Sequence, residues 1–388
     1  MDFRDTPEEA EFRTGLRAFL ARELPADWTA RRPHVGHHPF EQRRAWSRAL
    51  FDAGYAGLTW PKEYGGGGKP YSHQAIYLEE IGRSGAPEHV GVIGLGMAGP
   101  TIMVHGTAKQ KQKHLAGILS GDTIFCQGFS EPGSGSDLAS VSTRAELDGD
   151  SYVVNGQKVW SSWAHVADYC ILLTRSDPAE RSHRGLTYFV LDMHTPGVEV
   201  RPLRQITGDP EFNEIFLSDV RIPVEDVLDA PGNGWAVAMT TLLNERGTLG
   251  FALTAHLEHN FLQLLDTVKE LGLAGDPLVR DRVAGLYVEL EGLRYTNFRS
   301  LTKLMKTGIP GPEGSVAKLT WSEANQRLTS VAVDLLGADA TLDGAEGFWS
   351  GYWQFQQLRS RGNTIEAGTS EVLRNIIAER LVGLPRSR

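Results

Sequence analysis

The chain has 388 residues, 41% of them hydrophobic and 22% charged, with a formal net charge of −9. That length can bury a large core but exceeds the usual size of one domain, so two or three domains are expected. The acidic balance argues against a binder of nucleic-acid phosphates, which needs a concentrated excess of Lys and Arg, and the Arg31-Arg32 and Arg43-Arg44 pairs read as solvated faces.

Cys126 and Cys170 are the only cysteines, too few for a disulfide framework and without zinc spacing, which fits a reducing cytoplasm. The acidic start Met1-Asp2-Phe3-Arg4-Asp5 is unlike a basic signal peptide, and no apolar run approaches a membrane span. Neither secretion nor membrane insertion is expected.

Thr6-Pro7-Glu8-Glu9 predicts a helix start, with a hydroxyl cap, proline at the first helical position and Glu three residues after the cap. Phe12, Leu16, Phe19 and Leu20 then recur on one face. Beyond a Pro- and His-rich stretch at 33–39, helical patterns resume through Trp46, Leu50 and Phe51 and again over 71–81 and 100–104. From Thr123 onward, β-rich runs at 152–154, 169–174, 187–191, 198–203 and 215–222 alternate with turn residues. Asp148-Gly149-Asp150 and Asn155-Gly156 are both hairpin signals. After Pro231-Gly232-Asn233-Gly234, helical periods return over 235–271, 278–306, 313–336 and 371–381. The order is helices, then a compact β domain, then helices.

Some motifs look chemical without the context that chemistry needs. Gly94-Leu95-Gly96-Met97-Ala98-Gly99 satisfies a dinucleotide pattern, yet no βαβ unit surrounds it and the first following acid, Asp122, sits in a turn. It reads as a turn that lets helices approach closely. Gly65 to Gly68 before Lys69 resembles a phosphate loop, but Pro70 stands where magnesium would need a hydroxyl, so a mobile surface loop is expected. His34, His37 and His38, and the helical pair His256 and His259, lack nearby cysteines or clustered carboxylates and read as surface or capping residues. Ser134 has Pro132 and Ser136 where a hydrolase elbow requires glycines.

The run Gln127-Gly128-Phe129-Ser130-Glu131-Pro132-Gly133-Ser134-Gly135-Ser136-Asp137 opens the β region, and Asn155-Gly156-Gln157-Lys158-Val159-Trp160-Ser161-Ser162 follows it. Together they resemble the flavin-binding signature of the acyl-CoA dehydrogenases. The resemblance extends through Trp60-Pro61, Tyr64-Gly65-Gly66, Asn213-Glu214-Ile215-Phe216, Asn244-Glu245-Arg246 and Ala367-Gly368-Thr369-Ser370-Glu371-Val372, so it covers nearly the whole chain. It implies an α+β fold: an N-terminal helical domain over 1–121, a middle sandwich- or barrel-like β domain over 122–231, and a C-terminal four-helix bundle over 232–388.

The resemblance also implies FAD as cofactor, an acyl-CoA thioester as substrate and an electron-transfer flavoprotein as electron acceptor. Residues matching Phe129, Ser130, Gly135 and Ser136 hold the flavin, Trp160 matches an aromatic beside it, and Ser162 matches a hydroxyl near its N5. For Trp160 the competing reading is an ordinary aromatic of the β-domain core. Removal of an α-proton needs a carboxylate base and donors for the carbonyl oxygen. One branch of the family places the base immediately before Gly-Thr, where this chain has Ala367; the isovaleryl-type branch places it before an Arg, which Glu245-Arg246 matches. Glu245 is therefore the expected base, Glu366 the rival, and the Ala367 backbone N–H the expected carbonyl donor.

Thr369 and Glu371 match residues that approach FAD of the same or a neighbouring subunit, which makes a homotetramer the default. The Arg and Phe that many relatives use on the FAD diphosphate are missing from 264–277, and Asp334 stands where relatives often have Gln, so a heterotetramer is an alternative. The position of Glu245, with Gly247 and Gly250 near it, points to a branched, cyclic or bulky acyl group. An oxidase or monooxygenase on the same scaffold, and a non-catalytic subunit, are the competing functions.

Overall fold

The structure, a computed structural model, describes residues 4–24, 36, 38–87, 89–180, 183–247, 249–308, 311–342 and 344–386, leaving the side chains of 245–249 outside that description. In chain order its main elements are α1 (Pro7–Glu23), α2 (Phe40–Asp52), α3 (Tyr71–Ser84), α4 (Gly99–His105), α5 (Ala108–Ser120), β1 (Phe125–Gly128), β2 (Arg144–Asp148), β3 (Ser151–Ser162), β4 (Tyr169–Arg175), β5 (Leu186–Asp192), β6 (Val198–Leu203) and β7 (Phe212–Pro223). The helices α6 (Gly234–Gly247), α7 (Leu249–Glu270), α8 (Pro277–Thr307), α9 (Glu313–Leu336), α10 (Tyr352–Asn363) and α11 (Ser370–Ile377) follow. This is the expected α+β order, with helices at both ends of the sequence and a seven-stranded sheet between them in chain order.

Local chemistry sets the helix ends. At α1 the Thr6 hydroxyl accepts from the Glu9 amide at 3.3 Å while the Glu9 carboxylate accepts from the Thr6 amide at 2.9 Å, so two otherwise unpaired backbone donors are satisfied reciprocally. The period anticipated over 235–271 is divided between α6 and α7, and α10 was not anticipated at all. Helix α10 lacks a clear apolar repeat, but its Tyr352 and Trp353 are fully buried and anchor it by tertiary packing.

Compactness divides the chain into two units, one formed by residues 40–68 and 89–245 and the other by 1–39, 69–88 and 246–388. The first contains one seven-stranded sheet in the order β1-β4-β2-β3-β7-β6, with β5 paired to β4. Strands β4 and β5 are buried on both faces, which explains their continuous apolar runs. Cys126, Val154, Cys170 and Leu172 fill one face, and Phe125, Ile171 and Tyr188 meet Ile102, Ile118 and Val237 of the covering helices on the other. Both cysteines are free thiols.

Asp148 pairs with Ser151, so β2 and β3 close on a two-residue turn with Gly149 at φ 65°, as its sequence predicts. Asn155-Gly156 is not a hairpin. It lies inside β3 at a register shift, where a Cβ on Gly156 would sit 2.5 Å from the Thr143 hydroxyl and the Asn155 side chain bonds Asp219 across the strands. The glycines at 94–99 form a π-helical turn leading into α4, and a Cβ on Gly99 would strike the Trp60 ring at 2.2 Å, so their role is close packing. Nor is the Gly65–Gly68 segment a mobile loop: the Gly66, Gly67 and Gly68 amides donate to Pro61, Gly57 and Trp60 carbonyls. Arg43, expected on a solvated face, is buried with its guanidinium 4.4 Å from the Trp163 ring. Arg31, Arg32, His34 and His37 lie outside the described residues.

In the second unit α3 and α7 touch where Gly82 meets Ala255; a Cβ on Gly82 would lie 2.3 Å from that of Ala255. Helices α7 to α10 enclose a core containing Leu264, Leu290, Leu328 and Trp353. Gly250, read above as room for a bulky substrate, serves helix packing instead, because a Cβ there would fall 2.4 Å from the Asn297 side-chain oxygen.

His114 on α5 is fully buried, edge-on to Phe125 and Tyr169 at 5.6 and 4.7 Å, and neither ring nitrogen has a partner among the described residues. Burial, and secondarily the Lys113 charge, lowers its pKa from 6.5 to about 4. The stability it permits is therefore complete above pH 6.5 and lost as pH falls toward about 4. His114→Phe should fold normally at neutral pH and recover up to about 3 kcal/mol of the acid loss, measured by urea unfolding across that interval.

Candidate functional site

Strand β1 ends at Gly128, where a Cβ would meet the Cys170 sulfur at 2.8 Å, and the chain then leaves the sheet as a loop. Phe129 is buried edge-on against Tyr188, and the Ser130 carbonyl accepts from the Val159 amide at 2.9 Å, which fastens the loop beside β3. Glu131 and Ser134 exchange backbone hydrogen bonds of 2.8 and 3.0 Å. Beneath them lies the fully buried Lys158, whose ammonium donates to the Phe129 carbonyl at 3.0 Å and to Glu131 Oε1 at 2.8 Å.

Glu131 is equally enclosed. Its carboxylate also accepts from the Ser142 amide and hydroxyl at 2.7 and 2.8 Å and from the Thr143 amide at 2.8 Å. Burial opposes its ionisation, but the Lys158 charge and these donors outweigh burial and hold its pKa at about 2. The loop thus turns its acid and a carbonyl inward. Outward, the Gly135 and Ser136 amides donate to no group among the described residues, and nothing lies within 4 Å of a Cβ built on Gly133 or Gly135. Free amides over open space suit an anion or the polar edge of a ring, so the residues present fit the diphosphate and ring of a flavin dinucleotide.

Trp160 occupies a bulge of β3 between Lys158 and Ser161, at φ 62°, with 60% of its surface exposed. A left-handed non-glycine residue costs about 1–2 kcal/mol, and exposing so large a ring forgoes its burial. It is therefore not a core aromatic. Asn213 holds the bulge by donating to the Ser161 carbonyl at 3.0 Å, and half-buried Ser162 follows, paired with Phe212. The structure brings together Phe129, Ser130, Trp160 and Ser162 around one loop and strand end, beside the open face of Gly135 and Ser136.

Ala367, Thr369 and Glu371 belong to the other unit. Ala367 has φ 51° and Gly368 φ 96°; the Thr369 hydroxyl then caps α11 by accepting from the Val372 amide at 3.3 Å. Thr369 and Glu371 border a groove of about 820 Å³ that Arg282, Arg327, Arg361 and Arg374 also line. Arg282 pairs with Asp334 at 2.7 Å, so the acid found where relatives often have Gln is engaged by a neighbouring cation. Glu371 has its pKa lowered by its own backbone amide first and by the Thr369 hydroxyl next.

Glu245 lies on the backbone of α6, and its side chain is outside the described residues. Its rival Glu366 is committed elsewhere: its carboxylate accepts from Arg359 at 2.9 Å and from the Asn363 side-chain amide at 2.8 Å. The Lys158–Glu131 pair was missed as a unit, although a lysine within a strand that alternates in burial was the available signal. Among the described residues no group of three or more His, Cys, Asp or Glu is arranged to hold a metal ion, and no helix is long and apolar enough to cross a membrane.

Comparison with known proteins agrees with this geometry. Residues 6–122, 126–220 and 232–382 match the N-terminal, middle and C-terminal domains of acyl-CoA dehydrogenases. The chain is 40% identical over 382 residues to acyl-CoA dehydrogenase IpdE1 of Mycobacterium tuberculosis, covering 97% of this chain and 98% of that one. Among solved structures it is similar to the Tcur3481-Tcur3483 steroid ACAD, with TM-score 0.88, 32% identity and full coverage of both chains. It is also similar to the ChsE4-ChsE5 complex from Mycobacterium tuberculosis, with TM-score 0.84, 30% identity and full coverage of both chains. Matched along its length by all three domain models and by relatives of this identity, the chain is a member of the acyl-CoA dehydrogenase family and an oxidoreductase.

Proposed function

We propose that the protein is an FAD-dependent dehydrogenase converting an acyl-CoA thioester to the trans-2-enoyl-CoA, with Glu245 as the base. One observation carries the assignment of the base: the rival Glu366 is occupied by Arg359 and Asn363, and Ala367 has no carboxylate to offer. Glu245 takes the α-proton, and the Ala367 amide donates to the thioester carbonyl oxygen as negative charge develops there. Bound FAD would supply the two-electron acceptor for the β-hydrogen, which leaves as hydride, and the carbon–carbon double bond forms.

The chain's own residues prepare that environment. The Gly135 and Ser136 amides and the Ser130 hydroxyl would bind the cofactor's polar edges, Trp160 would cover one side of the ring, and Ser162 would donate near N5. Thr369 and Glu371 would approach a cofactor of the same or a neighbouring subunit. The three matched segments support a division into domains at 121/122 and 231/232. An electron-transfer flavoprotein would reoxidise the cofactor, in the cytoplasm. The relative described as a steroid ACAD supports a bulky, polycyclic acyl group, and the two names in each related structure's title favour assembly with a second, non-identical chain.

Glu245→Gln should retain flavin yet fail to bleach it when substrate is added without oxygen, with kcat reduced by roughly 10²–10⁴-fold; near-normal bleaching rejects the assignment. The oxygen-free and aerated arms of the same titration separate a dehydrogenase from an oxidase.

Lys158→Met strands the buried Glu131 carboxylate, at a cost of about 3–5 kcal/mol, and should yield protein with less than one flavin per site. Because the Glu131 pKa of about 2 lies below its ordinary 4.5, its contribution is complete above pH 4.5 and lost as pH falls toward 2. The variant should lack that acid-dependent loss; unchanged flavin content and an unchanged stability profile count against the assigned role.

A further inference from the structure

The helical bundle contains a directed chain of buried side-chain amides. Asn260 on α7, Asn325 on α9 and Asn363 at the end of α10 are all buried. The Tyr352 hydroxyl donates to Asn260 Oδ1 at 2.7 Å, Asn260 Nδ2 to Asn325 Oδ1 at 3.0 Å, Asn325 Nδ2 to Asn363 Oδ1 at 2.9 Å, and Asn363 Nδ2 to Glu366 Oε1 at 2.8 Å. A carboxylate only accepts, so Asn363 must present its NH₂ to Glu366 and its oxygen to Asn325, and each earlier link inherits that direction. Aligned bonds of this kind polarise one another toward the carboxylate.

The chain ends one residue before the strained position. Ala367 is a non-glycine residue at φ 51°, followed by Gly368 at φ 96°. On its other side the buried Lys318 ammonium donates to the Gly368 carbonyl at 2.7 Å. The Glu366 amide donates to Gly362 and the Ser370 amide to Thr364, each at 3.0 Å, while the Ala367 amide donates to no group among the described residues. An N–H without a protein partner among the described residues thus stands in a left-handed turn gripped through a side chain before it and a carbonyl after it. Strain held by such over-determined surroundings is a mark of functional turns.

We infer that the Tyr352–Asn260–Asn325–Asn363 chain and Lys318 are positioning residues, which hold the Ala367 N–H in the direction it needs to donate to the thioester carbonyl oxygen. This rests on the dehydrogenase reading for its chemistry but not for its geometry. These residues act through the amide, whose value to an enolate-like oxygen depends on placement within a fraction of an ångström.

The test uses Asn363→Ala, Lys318→Met and the conservative Lys318→Arg, with Asn297→Ala as control. Asn297 is as deeply buried but bonds the Gly250 carbonyl and the Thr254 hydroxyl, and makes no bond to residues 366–368. Amide hydrogen exchange over residues 364–369 is measured on each protein without substrate, and the α-proton pKa of a bound 3-thia-acyl-CoA and the steady-state constants are measured with flavin. In Asn363→Ala and Lys318→Met, exchange should accelerate at least about tenfold. The analogue's α-proton pKa should rise by about one unit or more, and kcat should fall about 10²-fold with KM nearly unchanged. Lys318→Arg should restore most of each, and the control should lose thermal stability alone. Unchanged exchange in both variants, or the same acceleration in the control, overturns the inference. A wild-type protein that fails to acidify the analogue would refute the dehydrogenase reading, while the exchange measurement still decides whether the amide is held.

Discussion

A buried lysine under a loop organises the β unit. Lys158 cannot reach water, so its charge is tolerable only against Glu131 and the Phe129 carbonyl, and that demand fixes the path of the chain from Phe129 to Ser134. Glu131 spends its remaining lone pairs on Ser142 and Thr143, which ties the loop to the segment entering β2. With the acceptors facing inward, the donors of Gly135 and Ser136 are left outward. Apolar residues of similar volume in place of the pair would leave the sheet stable, but the loop would keep only its backbone bonds, Val159 to Ser130 and those between Glu131 and Ser134.

The bundle unit reaches a similar end by different means. There the grip on Ala367 comes from an amide chain ending at Glu366 and from Lys318 on the Gly368 carbonyl. In both places a buried cation takes a backbone carbonyl and leaves a nearby N–H unpaired. Donors for transient negative charge can be built in this way, by pairing the neighbouring charge and carbonyl and leaving the donor itself free. The Glu366 carboxylate, near the expected position of a base, is already held by Arg359 and Asn363.

Much of the fold was legible because its signals are local. The Thr6 cap, the β2–β3 turn and the strand runs depend on neighbours within a few residues. The misreadings share a cause in distant packing. Asn155-Gly156 carries the sequence of a hairpin, yet β7 continues opposite it and Thr143 requires the missing Cβ, so a bulge results. Gly65–Gly68 is glycine-rich because Trp60 and Leu58 crowd it, and Arg43 is drawn inward by Trp163. Helix α10 has no amphipathic period because it binds the bundle through polar side chains as well as rings, with Trp353 donating to Thr267 and Tyr352 to Asn260.

By itself the sequence determined the order of helical, β and helical segments, the family, and which residues were available for cofactor and proton chemistry, because periodicity and motif spacing are written along the chain. Tertiary structure alone decided that Trp160 faces outward from a strained bulge and that Lys158 and Glu131 are one buried pair. It alone decided that three asparagines from three helices join into one directed chain ending beside Ala367. Those outcomes depend on distances between residues far apart in sequence, where burial makes an unpaired charge or amide costly and so dictates which groups must meet.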